Sequence, residues 1–140
     1  MRIARELLDE IVAHALQDAP NECCGMVAAR DGEAVQVYRA ENAEASPLRY
    51  RISSADEKRI HDAIEESGCE LGAIYHSHTR SEPYPSQTDV NLAFWPGSEM
   101  PAWPGALYLI VGVTGEAPDV RAFAMPDPRS VQEVELEVAG

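Results

Sequence analysis

The chain has 140 residues, 45% of them hydrophobic, and carries 24 Asp and Glu against 11 Lys and Arg, a formal net charge of −13. Its length predicts one domain over residues 1–140, and no run reaches the roughly 18 consecutive apolar residues of a membrane-spanning helix. So acidic a chain excludes nucleic acid as a natural partner, because that binding depends on neutralising phosphates. It suits a protein partner with a basic face, or simply solubility.

Residues 3–17 place Ile3, Leu7, Ile11 and Ala15 at steps of four, flanked by Leu8, Val12 and Leu16. That is the period of a helix with one apolar face. Charges interrupt the pattern, so it reads as an amphipathic helix and not a signal peptide, and the expected location is cytoplasmic. Pro20-Asn21 stops the helix. Residues 24–30 read as a buried strand, Asp31-Gly32 as a turn, and 34–38 as the alternating second arm of a hairpin. A loop over 40–47 leads to a short strand at 48–52. Ser53 or Ser54 caps a second helix running to Ser67, which Gly68 ends. A strand at 70–76 follows, then a Pro-containing loop at 79–85, and Ser86 opens a third, shorter helix to about Phe94. Residues 96–105 hold three Pro and two Gly and form an irregular loop. Residues 108–113 are strongly β-prone, and 120–124 and 131–138 are two further strands. The order α-β-β-β-α-β-α-β-β-β predicts an α/β (α+β) fold, a mixed β-sheet flanked by helices.

Cys23 and Cys24 are adjacent and Cys69 stands alone, an odd count without a Cys-x-x-Cys pair. The expectation is three buried free thiols, not a disulfide framework or a cysteine-held metal.

The chemistry concentrates in the run HSHTRSEPYPSQTD, which reads His76-x-His78, seven residues, then Ser86-x-x-Asp89. Two His at i and i+2 on an extended segment point to the same side, because side chains alternate along a strand. An Asp one loop later can complete a three-ligand zinc site, leaving a fourth position for water. Asp89 has a second reading: Ser86-Gln-Thr-Asp89 is also a capping box for the third helix, with Asp89 at its third position. His14 shares a helical face with Leu7 and Ile11 and reads as structural. His61, near Asp62 and Glu65, reads as solvent-facing.

These residues, with Glu22 upstream in Asn-Glu-Cys-Cys-Gly-Met, resemble the JAMM (MPN+) metallopeptidases, over a span from the first helix to about Ala124. The texture Glu-Cys-Cys-Gly, Tyr-His-Ser-His-Thr and Ser-Glu-Pro-Tyr-Pro-Ser-Gln-Thr-Asp is similar to the family's short bacterial branch. The resemblance implies an MPN-type domain of cytidine-deaminase-like architecture with one zinc ion per chain on His76, His78, Asp89 and a water. It implies Glu22 as general base, with Glu70 and Glu82 as local competitors, and Ser86 as donor to the oxyanion or to the attacking water. The implied reaction removes cysteine from the C-terminus of a small ubiquitin-like sulfur-carrier protein whose extended, Gly-Gly-type tail enters the site. Tyr84, between two prolines, is either a substrate contact or loop packing, and residues 95–103 border the groove. Oligomeric state stays open, a homodimer among the options. Two alternatives share the fold: an isopeptidase removing ubiquitin-like modifiers from lysine, and a non-catalytic MPN scaffold. A zinc deaminase is excluded, since His-x-Glu and Pro-Cys-x-x-Cys are both missing.

Overall fold

The apolar runs around residues 24–30, 70–76 and 108–113 become the centre of one eight-stranded sheet in the computed structural model, which describes all 140 residues. In chain order the elements are β1 (Arg2–Ala4), α1 (Arg5–Asp18), β2 (Cys24–Arg30), β3 (Glu33–Ala40), α2 (Ser54–Glu66) and β4 (Glu70–His78). They continue with α3 (Gln87–Leu92), β5 (Leu107–Gly112), β6 (Asp119–Asp127), β7 (Ser130–Val134) and β8 (Glu137–Ala139). The sheet order is β7-β6-β5-β4-β2-β3-β1-β8. It is mixed: β2 pairs antiparallel with both β3 and β4, whereas β4 and β5 run parallel, joined by the crossover that carries α3.

β7 and β8 form opposite edges of the sheet, yet only Glu135 and Leu136 separate them. So short a link spans about 11 Å at most, and the sheet must curl until its edges approach one another. α1 occupies the inside of the curl, packing on β3, β4, β5 and β8. Leu8, Ile11 and Ala15 of α1 are buried there against Val27, Val37, Ala73, Tyr75, Leu109 and Val111. The other side of the sheet packs Met26, Ile74 and Tyr108 against Ile60 and Ile64 of α2 and Val90, Ala93 and Phe94 in and after α3. Strand alternation therefore sends Ala73 and Tyr75 of β4 toward α1, and puts Ile74, His76 and His78 on the face of α2 and α3.

Several sequence readings need correction. The helical period does not extend to Ile3, which is fully buried in β1, paired with β8; the helix starts at Arg5. Residues 131–138 are not one strand but β7 and β8 at opposite edges, because the chain crosses from one side of the curl to the other. No strand forms at 48–52, where a single bridge joins Asn42 to Ile52. The Asn42 side chain replaces the ladder, accepting from the amides of Glu44 and Arg51 and donating to the Arg49 carbonyl. The third helix ends at Leu92, and Cys69 is only half-buried, with the Arg30 guanidinium 3.3 Å from its sulfur. Cys23 and Cys24 are buried free thiols, as expected.

Gly25 stands opposite Tyr75 in the β2–β4 ladder, and a Cβ there would lie 2.2 Å from the Tyr75 ring and 2.5 Å from the Tyr38 carbonyl oxygen. The ring cannot retreat, since its hydroxyl is held 2.6 Å from His14 Nδ1, whose Nε2 lies 3.2 Å from Asp18. His14 is thus structural, and Gly25→Ala is expected to destabilise the protein by about 1–3 kcal/mol, the usual cost of overpacking a closed core. Urea unfolding of the variant against the parent measures it.

Candidate metal centre

His76 and His78 leave the C-terminal end of β4, and Asp89 sits in the first turn of α3 directly after the connecting loop. All three are buried, at 1%, 3% and 4% exposure, so their polar atoms must find partners within the protein. Those atoms converge. His76 Nε2 and His78 Nε2 are 3.1 Å apart, and Asp89 Oδ2 is 3.1 Å from the first and 2.9 Å from the second. Three ligands of one tetrahedral zinc would stand about 3.3 Å apart, given bonds near 2.0–2.1 Å.

The donor chemistry fits a cation. His78 Nδ1 donates to the Glu82 carbonyl at 2.7 Å, which fixes the neutral tautomer with a lone pair on Nε2. That lone pair faces a carboxylate and a second imidazole nitrogen, a cluster that only a proton or a metal ion satisfies. The protonation balance reflects the same demand. Burial alone would lower His78, but Asp89 and the Glu82 carbonyl raise it overall. Burial dominates at His76 and lowers it, and burial of Asp89 is outweighed by the two imidazoles, which hold its carboxyl far below the usual range.

The capping-box reading of Asp89 holds, and it leaves the carboxylate facing the two imidazoles. Ser86 is the N-cap of α3, its Oγ accepting from the Asp89 amide at 3.1 Å, while Asp89 Oδ2 accepts from the Ser86 amide at 2.9 Å. The capping box aims the same oxygen that meets the imidazoles. Accepting through Oγ leaves the Ser86 hydroxyl hydrogen free to donate elsewhere.

Glu22 arrives through sheet register. Cys24 pairs with His76 in the antiparallel ladder, so continuing that register two residues ahead of β2 brings Glu22 toward His78, which acts electrostatically on its carboxyl. The pairing continues past the strand: Cys23 donates to Ser77 Oγ at 2.8 Å and Ser77 to the Cys23 carbonyl at 3.2 Å. Glu22 is 4% exposed, and its Oε1 is buried without a hydrogen-bond partner. Burial, reinforced by the Asp89 charge and opposed by His78, pushes its carboxyl up to about 8. Glu70 lies at the opposite end of β4 and is exposed, and Glu82 is exposed and contributes its backbone carbonyl.

The raised Glu22 carboxyl carries a stability consequence in metal-free protein. A group near 4.5 when unfolded and about 8 when folded contributes stability that is full below pH 4.5 and is lost as pH rises toward about 8. Urea unfolding in chelator is therefore expected to show a larger loss of stability between pH 5 and 8 for the parent than for Glu22→Gln. Equal losses would contradict this.

Tyr84 is 44% exposed, with its ring edge-on to Phe123 at 5.3 Å, so packing holds one side of it and solvent meets the other. The 95–103 segment, with Trp95 58% exposed, borders a groove of about 490 Å³ shared with α2 and Ile52. His61 is exposed. The sequence reading missed two residues at the centre. Tyr50 is 3% exposed and stacks on His76, ring centroids 4.2 Å apart and planes 19° from parallel. Asn42 donates to the Glu22 carbonyl at 3.0 Å. Neither carries a motif signal, since both depend on how the 41–53 loop folds back over the strand ends.

Fold and site together are those of a JAMM/MPN domain. Residues 4–126 match the family described as prokaryotic homologues of the JAB domain, and the chain belongs to that family. It is 41% identical over 96 residues to the CysO-cysteine peptidase of Mycobacterium tuberculosis, an alignment covering 67% of this chain and 66% of the relative. A probable TtuB-protein conjugate cleaving protease of Thermus thermophilus is 36% identical, covering 96% of this chain and 82% of its own. A desampylase of Haloferax volcanii is 34% identical with 82% of each chain covered. Among solved structures, a Desulfitobacterium hafniense protein superposes with a TM-score of 0.80 at 26% identity, over 99% of this chain and 93% of the other. A JAB1/MPN domain protein of Archaeoglobus fulgidus does so at 0.64 and 20%, over the whole of both chains, a likeness of fold. No helix is long and apolar enough to cross a membrane.

Proposed function

We propose that the protein is a zinc-dependent peptidase that cleaves the amide joining the C-terminus of a small ubiquitin-like sulfur-carrier protein to cysteine. The observation that carries this reading is the convergence of His76, His78 and Asp89, from β4 and α3, into one buried cluster, with the buried Glu22 just ahead of β2. His76, His78 and Asp89 would hold the ion. When bound, zinc supplies Lewis-acid polarisation of the scissile carbonyl and makes water acidic enough to deprotonate near neutral pH.

The remaining work belongs to the chain. Glu22 accepts a proton from the attacking water and delivers it to the departing amine nitrogen. The Ser86 hydroxyl donates to the oxyanion of the tetrahedral intermediate, a contribution of about 3 kcal/mol where such donors have been removed. Tyr50 covers His76 where that ring has no hydrogen-bond partner on Nδ1, and so supplies by stacking the orientation a second-sphere acceptor would give. Tyr50→Leu is accordingly expected to weaken zinc binding roughly 10–100-fold in chelator competition. An affinity within twofold of the parent would remove that role.

The carrier's tail would lie extended, fixed by backbone hydrogen bonds to a strand or loop edge. Glycines at its end suit so narrow an approach. Tyr84 contributes its exposed edge to this contact. The whole chain would act as one catalytic domain in the cytoplasm, where its three free thiols stay reduced.

A second reading keeps the site and changes the leaving group to a lysine side chain, and the Thermus relative, a probable TtuB-protein conjugate cleaving protease, favours a protein conjugate as substrate. The test offers zinc-loaded enzyme two substrates, a carrier ending in an added cysteine and the same carrier linked to a lysine ε-amine. Faster release of cysteine, read as mass loss of the carrier, supports the first reading. Selective cleavage of the lysine adduct transfers the assignment to an isopeptidase, and cleavage of neither supports a scaffold.

A further inference from the structure

Glu22 has no hydrogen bond to its carboxylate, so nothing grips the side chain, and its aim is set by the backbone beneath it. β2 does not supply that grip either, because the regular ladder starts at Cys24. Both polar main-chain groups of Glu22 are instead taken by one loop. Its amide donates to the Ser46 carbonyl at 2.9 Å, and its carbonyl accepts from Asn42 Nδ2 at 3.0 Å.

Asn42 is 9% exposed and ties the loop as well as Glu22. Nδ2 also donates to the Arg49 carbonyl, and Oδ1 accepts from the amides of Glu44 and Arg51, each at 3.0 Å. Both amide hydrogens and both carbonyl lone pairs are therefore used, leaving the side chain no freedom to turn. The loop so fixed also delivers Tyr50 onto His76. Thr79 holds it from the far side, its hydroxyl bonded to the Pro20 carbonyl at 2.8 Å, with the Pro47 carbonyl at 3.4 Å.

We propose that Asn42 is a positioning residue of the hydrolytic reaction, holding Glu22 at the distance and angle proton transfer requires. This rests on the assignment of Glu22 as base. A misplacement of about 1 Å in a reacting group can cost on the order of 100-fold in rate, so loosening one main-chain tether is expected to be felt in kcat. Asn42→Asp is the sharpest change. It keeps the size and the Oδ1 acceptor but replaces the donor to Glu22 and Arg49 with an oxygen that repels both carbonyls.

The test is a double-mutant cycle with Glu22→Gln, read as single-turnover rates on whichever carrier adduct the parent cleaves, with zinc affinity and hydrogen exchange measured alongside. Acting through Glu22, Asn42→Asp is expected to cost tenfold or more in the parent background and less than twofold in the Glu22→Gln background. KM is expected to stay within about twofold, and amides of residues 21–24 to exchange faster while those of β4 do not. Equal losses in both backgrounds would make Asn42 a merely structural residue and overturn the proposal, as would unchanged rate and exchange. Should Glu22→Gln itself retain full activity, the base assignment fails first, and a rate loss confined to Asn42→Asp identifies that case. If the Asp variant does not fold, Asn42→Gln, with the same groups one methylene further out, is read by the same cycle.

Discussion

Glu22→Gln is expected to lower kcat for the proposed carrier adduct by roughly 10²–10⁴-fold, the range for losing a general acid–base group, and to leave zinc binding in place. The substitution is nearly isosteric and removes only the ability to accept and return a proton. Since Glu22 sits toward His78 without supplying one of the three converging ligand atoms, the metal-holding set stays whole. Rapid-quench or intact-mass kinetics beside a zinc determination on the same sample checks both halves. Loss of zinc together with activity would place Glu22 among the ligands instead.

Asp89→Ala has two effects that can be measured apart. Oδ2 accepts from the Ser86 amide and lies within 3.1 Å of both imidazole Nε2 atoms, so its removal takes a proposed ligand from the site and half the capping box from α3. Zinc affinity is expected to fall by at least 100-fold and hydrolysis to drop below detection. Metal-free stability falls by about 1 kcal/mol, typical for a lost cap. Asp89→Asn separates the two, because its side-chain oxygen still accepts from the Ser86 amide but is a poor metal ligand. It should recover most of the stability and little of the affinity. Full recovery of zinc binding by Asn would show that Asp89 serves the helix alone.

How much of this was legible before the fold depends on distance along the chain. His76, His78, Ser86 and Asp89 lie within one strand–loop–helix passage, where alternation along the strand and the capping pattern both act locally. Glu22 could be reached only through family resemblance, since its place beside His78 comes from the β2–β4 register, and that register is set by the pairing of two apolar runs with a hairpin and a helix between them. Tyr50 stayed hidden because residues 48–52 read as a strand, and Asn42 because it fell in the 40–47 loop with no motif around it. In the folded chain Asn42 takes the hydrogen bonds a ladder would have made. β1 and β8 are three-residue strands that pair only once the sheet has curled, so no local period marks them.

The most direct test is to strip the protein with chelator, return zinc in measured portions, and follow a cysteine-bearing carrier by intact mass. Hydrolysis should be absent without metal, saturate at one equivalent of zinc per chain, and remain absent in His78→Ala at the same zinc. Undiminished cleavage by the metal-free protein, or by His78→Ala, would contradict a catalytic centre built on His76, His78 and Asp89.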